Sequence, residues 1–97
     1  MKTLADLKRR IAPGVRLRCI ANTYRPMLSG TVREIHRVQG NAFTWFQVDA
    51  NAAQVESWTY YPKAKGLRWI DDDTFEMHLS DTKPEHTVCL AFVEECP

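Results

Sequence analysis

The sequence contains no apolar stretch near the ~20 residues of a membrane-spanning helix, so no membrane partner is expected. Residues 1–14 carry Lys2, Asp6, Lys8, Arg9 and Arg10 and lack the apolar centre of a secretory leader, which points to a cytoplasmic protein. Cysteine is scarce and odd in number. Cys19, Cys89 and Cys96 have no CxxC spacing, which argues against a disulfide framework or a zinc ribbon and fits free thiols in a reducing compartment. The chain also lacks a P-loop, GxGxxG, GxSxG and HExxH. No enzyme activity, cofactor or metal is therefore expected. His78, Asp81, Glu85 and His86 are metal-ligating types close in sequence, but a strand histidine followed by a polar loop explains them as well.

At 97 residues the chain has the length of one domain. Its 44% hydrophobic and 26% charged content is that of a globular protein, not of a disordered segment. The net charge of +1 hides an imbalance. Residues 1–40 hold nine Lys and Arg against two acids, and residues 41–97 hold four against ten. Charge separated in this way points to a charged partner.

Thr3 to Ala12 reads as a helix. Thr3 and Asp6 form a capping pair, Leu4, Leu7 and Ile11 make one apolar stripe, and Pro13-Gly14 ends it. The period then changes to two. Val15, Leu17 and Cys19 alternate with Arg16, Arg18 and Ile20 in a half-buried strand, and Asn22 to Gly30 is a loop. Thr31 to Val38 has apolar residues at Val32, Ile35 and Val38, a spacing of three that predicts a strand with a bulge near Arg33-Glu34. Ala42–Val48 follows a short turn and completes a hairpin. Asp49 to Gln54 is a connection with room for one helical turn, and Val55–Tyr61 is a strand with Trp58 and Tyr60 on one face. Leu67–Ile70 and Thr74–Leu79 flank Asp71-Asp72-Asp73 as a second hairpin, and Thr87–Val93 is the last strand. The expected fold is mostly β: a small SH3-like barrel or roll of roughly five to seven antiparallel strands over 15–93, with a short N-terminal helix, in one domain.

Two binding surfaces compete. Ten aromatic residues exceed what one small core needs. Trp45, Trp58, Tyr60, Tyr61 and Trp69, with the acids Asp71, Asp72 and Asp73, are candidates for a protein-binding face, because aromatic anchors and complementary charge carry such interfaces. Self-association through a sheet edge belongs to the same class. The alternative is nucleic acid, with Lys8, Arg9, Arg10, Arg16, Arg18, Arg33 and Arg37 tracking phosphates. The three histidines and the three aspartates in a row do not assemble a recognisable catalytic set.

The run Trp58-Thr59-Tyr60-Tyr61-Pro62-Lys63-Ala64, continuing through Gly66-Leu67-Arg68-Trp69 to Asp73-Thr74-Phe75, resembles small orphan proteins encoded in phage genomes. The resemblance covers about a fifth of the chain and brings no catalytic residue with it. It implies a phage or mobile-element origin, a place in the host cytoplasm, and action by occupying a host protein as an inhibitor.

Overall fold

A computed structural model describes residues 2–48, 56–79 and 85–93. The helix α1 spans Leu4–Arg10, inside the expected Thr3–Ala12, with Thr3 and Ile11 as its caps. Its start is set by Thr3, whose backbone N–H and hydroxyl both donate to the Asp6 carboxylate, at 2.6 and 3.0 Å. Its end follows from Pro13-Gly14, with Gly14 at φ +91°, a conformation that side-chain-bearing residues avoid.

Seven strands follow: β1 (Arg16–Asn22), β2 (Val32–Gln39), β3 (Ala42–Gln47), β4 (Ser57–Tyr60), β5 (Leu67–Trp69), β6 (Thr74–His78) and β7 (Thr87–Val93). They form one antiparallel sheet in the order β4-β3-β2-β1-β7-β6-β5. The expected mostly-β architecture is what the chain adopts. The barrel is not closed, because β4 and β5 end the sheet and do not pair with each other.

One face of the sheet carries the core: Leu17, Cys19, Ile35, Phe43, Trp45, Phe75, Met77, Val88 and Leu90, joined by Leu7 and Ile11 of α1. The helix would be marginal alone. It is held at one end of the sheet by contacts to both edges. Lys8 lies over the Tyr61 ring just past β4, and Lys2 lies over Trp69 of β5. Trp69 donates its indole N–H to the Thr3 carbonyl at 3.1 Å. Arg10 sits 3.8 Å above Phe92 and bonds Asp72 and Asp73 of the β5–β6 turn. The opposite end of the sheet has no such cover among the described residues.

The bulge in β2 does not lie at Arg33-Glu34. Arg33, Glu34 and Ile35 pair in unbroken register with Gln47, Phe46 and Trp45, and the irregularity falls between Ile35 and Arg37. The extra residue is the exposed His36. Two neighbours favour this placement. Glu34 stands opposite Arg16 and bonds it across the outer face at 3.0 Å, and Ile35 fills the core. Arg33 therefore keeps step with Ile35 and faces the core side, directly opposite Leu17. A second irregularity, between Cys19 and Ala21, leaves the outward-facing Ile20 as the extra residue opposite β7. The expected turn within Asp49–Gln54, the start of the strand at Val55 and the loop from Ser80 to Pro84 lie outside the described residues.

Candidate functional site

The uncovered end of the sheet is a cleft of about 350 Å³. Leu17, Cys19, Val88 and Leu90 contribute apolar lining from β1 and β7, and Ser57, Trp58 and Thr59 of β4 contribute to its wall. The loop after β1 brings Tyr24, Arg25 and Leu28 to its rim. That loop is shaped by local bonds. The Asn22 side chain accepts the backbone N–H groups of Tyr24 and Arg25 at 2.9 and 2.8 Å, a turn in which the side chain replaces a backbone acceptor. Gly30, at φ +90°, returns the chain so that its N–H reaches the Cys19 carbonyl at 2.7 Å. Thr23 binds the Glu85 and Thr87 carbonyls and accepts the Thr87 N–H, which ties the loop to the start of β7. Tyr24 packs on His86, with ring centroids 4.6 Å apart, and Arg25 lies over Tyr24.

The electrostatics of the cleft are one-sided. Arg25 and Arg33 are the charged residues lining it, and no carboxylate lines it among the described residues. Arg33 is partly buried, and its guanidinium lies 4.8 Å from the centre of the Trp45 ring. Burial disfavours its charge, and Arg25 nearby adds repulsion. Arginine nonetheless remains charged in proteins. Trp45, only 4% exposed, lines the same cleft, and its indole N–H is buried without an acceptor among the described residues. Buried polar groups of this kind are ordinarily paired. Beside them the Cys19 thiol is pushed up by burial, which makes it a poor nucleophile.

The edge of β4 borders this cleft. Tyr61 donates its N–H to the Asn41 carbonyl at 2.9 Å, which fixes the phase of the β3–β4 ladder. By antiparallel alternation Ser57 and Thr59 bond β3, while the backbone groups of Trp58 and Tyr60 point to the other side, where no strand pairs among the described residues. Their side chains are exposed, Trp58 by 52% and Tyr60 by 74%. Glu56 anchors the start of the strand. The Thr44 hydroxyl and the Arg37 guanidinium, at 3.0 Å, hold its carboxyl down to about 2, with His36 also bonded.

The aromatic set named from the sequence is thus divided. Trp45 belongs to the core and the cleft, and Trp58 and Tyr60 to the exposed edge. Tyr61 and Trp69 are half-buried under α1. Asp71, Asp72 and Asp73 form the β5–β6 turn at the helix-covered end, with the Asp73 N–H donating to Asp71. The basic set is divided too. Arg9 pairs with Asp6, Arg10 with Asp73, Arg16 with Glu34 and Arg37 with Glu56, while Lys8 covers Tyr61, Arg18 is exposed on the outer face and Arg33 enters the cleft. No group of three or more metal-ligating side chains converges among the described residues, and Asp81 lies outside them. Arg25 and Leu28, in the loop after β1, were not singled out from the sequence as members of a protein-binding site. The alternation Arg33-x-Ile35 is the signal that would have placed Arg33 inside. No helix of the described chain is long and apolar enough to cross a membrane. The chain matches no protein-family model, no curated protein and no solved structure.

Proposed function

We propose that the protein is a non-catalytic binding module that takes an extended segment of a partner protein along the open edge of β4, beside the cleft. The observation that carries this reading is the outward phase of Trp58 and Tyr60. A strand that presents unpaired N–H and C=O groups is a template for another strand. Natural proteins usually blunt such edges with charge, proline or a covering element. Here β4 instead carries two exposed aromatic rings, Trp58 under the Arg37 guanidinium and Tyr60 beyond it, and its Ser57–Thr59 stretch borders an apolar recess. The other edge, β5, is three residues long and lies against α1.

Several features favour a protein over a nucleic acid. Four of the seven basic residues named above are already paired with acids of the same chain. The rest are divided between the helix, the outer face and the cleft, which does not make a continuous phosphate track. The resemblance to phage orphan proteins favours a host-cell protein in a reducing cytoplasm as the partner. A raised Cys19 thiol and the lack of a converging group of metal-ligating side chains among the described residues favour occupancy over chemistry.

The test is calorimetric binding of a blocked hexapeptide, acetyl-Thr-Val-Glu-Val-Thr-Val-amide, to wild type, Tyr60→Ala and Tyr60→Pro. Proline at this position removes an N–H that β3 does not use, so the fold tolerates it. Loss of binding in Tyr60→Pro with retention in Tyr60→Ala supports strand addition. Equal binding by all three proteins refutes it. Sedimentation of the free protein shows whether a second copy takes the same edge.

A further inference from the structure

We propose that the cleft is a carboxylate site, in which Arg33 and the Trp45 indole N–H receive an acidic group carried by the bound segment. The inference rests on the strand-addition reading above and names the chemistry of the partner. Arg33 faces inward from the middle of a core-lining row, opposite Leu17 and diagonal to Trp45. No acid pairs with it among the described residues; its cross-strand neighbours are Leu17 and the uncharged Gln47, with a second cation and an aromatic face nearby. A guanidinium in such a place carries hydrogen-bond donors in a fixed fork, with no acceptor of its own. Trp45 supplies a further donor in the same cleft, more than nine-tenths buried and without a partner among the described residues. Among the described residues the unmet groups here are a donor and a cation, and their complement is an acceptor with negative charge. The apolar lining from Leu17, Val88 and Leu90 suits the aliphatic stem of a glutamate. A recess of about 350 Å³ matches the lower end of ordinary ligand pockets and is ample for one side chain.

Charge alone does not distinguish a carboxylate from a phosphate. The cleft favours the carboxylate because its lining is largely apolar and suits a group carried on an aliphatic stem better than a fully hydrated phosphate. Phosphate is therefore an outcome of the test.

The experiment is a ¹H–¹⁵N titration that follows the Trp45 indole N–H and the amides of β4. The probes are the Glu hexapeptide, its Gln counterpart, sodium acetate and inorganic phosphate. The Glu peptide is expected to shift the Trp45 indole signal in a saturable way and to bind roughly ten- to a hundred-fold more tightly than the Gln peptide, the usual worth of a charge-assisted hydrogen bond. Acetate moves the same signal weakly. Arg33→Gln abolishes the preference for Glu, and Arg33→Lys keeps part of it while the dispersed spectrum reports an intact fold.

Equal affinity for Glu and Gln peptides, with β4 amides still perturbed, overturns the carboxylate site and leaves strand addition standing. Acetate and Glu peptide shifts at Trp45 without any change at β4 leave the site standing and overturn strand addition. A response to phosphate that exceeds the response to acetate refutes the carboxylate assignment.

Discussion

Arg33→Met separates the cost of the site from its use. A fully buried ion loses several kcal/mol of hydration even after the protein relaxes. Arg33 is only partly buried, so a fraction applies, about 1–2 kcal/mol. Its contact with the Trp45 ring at 4.8 Å returns about 0.5–1 kcal/mol. Methionine keeps most of the stem and fills the same apolar space without a charge. The expected net effect is a gain of about 1 kcal/mol, which for a domain of this size raises Tm by about 4–8 °C. Urea and thermal unfolding followed by circular dichroism measure it. Arg18→Met, on the exposed outer face of β1, is the control and stays within about 0.5 kcal/mol of wild type. The gain in Arg33→Met is to be accompanied by loss of the Glu-peptide preference, a trade of function for stability. A loss of more than about 1 kcal/mol in Arg33→Met would refute the reasoning, because it would mean that Arg33 holds the fold together through a partner.

Trp45→Phe removes the unpartnered N–H, worth about 1–3 kcal/mol when left buried, and so offsets most of the packing it gives up. Its stability stays within about 1 kcal/mol of wild type by urea titration, whereas Trp45→Ala loses about 3–5 kcal/mol. The Glu56 and Asp6 carboxyls sit at about 2 in the folded chain, against 4.5 and 3.8 ordinarily. The folded values are the lower ones, so their contribution is complete above about pH 5 and fades as pH falls through 4.5 towards 2. Urea midpoints are expected to drop across that window, and more shallowly in Glu56→Gln. Gly30→Ala strains a residue at φ +90° and loosens the loop that carries Tyr24 and Arg25, which costs about 1 kcal/mol and weakens peptide binding.

Much of the fold could be read from the sequence because the local signals are strong. The two-residue alternation in Leu17–Cys19 and Val88–Leu90 assigns each residue to the core face it occupies, whereas Trp45, counted from the sequence among the interface aromatics, is buried beside Phe43. Thr3 with Asp6 marks the helix start, and Asp71 to Asp73 marks a turn. The site was legible only in part. The apolar residues of β2 recur every third position, and a bulge near Arg33-Glu34 explains that spacing if charged residues are assumed to face water. The chain instead breaks register at His36 and keeps Arg33 inside. Sequence spacing alone does not separate the two solutions, since they differ in which cross-strand partners pay for the irregularity. The basic cluster of the sequence is dispersed in the fold for a similar reason. Residues adjacent in sequence are drawn off to different acids, Arg16 to Glu34 and Arg10 to Asp73, by pairings that only the folded sheet creates. The open edge of β4 was also hidden, because the identity of the terminal strand depends on the crossover from β4 to β5.

The central claim is that β4 receives a strand whose acidic group enters the cleft. Amide hydrogen exchange at Trp58 and Tyr60, with and without saturating Glu hexapeptide, tests it most directly. Both amides are predicted to exchange fast in the free protein and to slow by at least roughly ten-fold on binding, while Ser57 and Thr59, already bonded to β3, change little. Unchanged exchange at Trp58 and Tyr60 in a protein saturated with peptide would contradict the account.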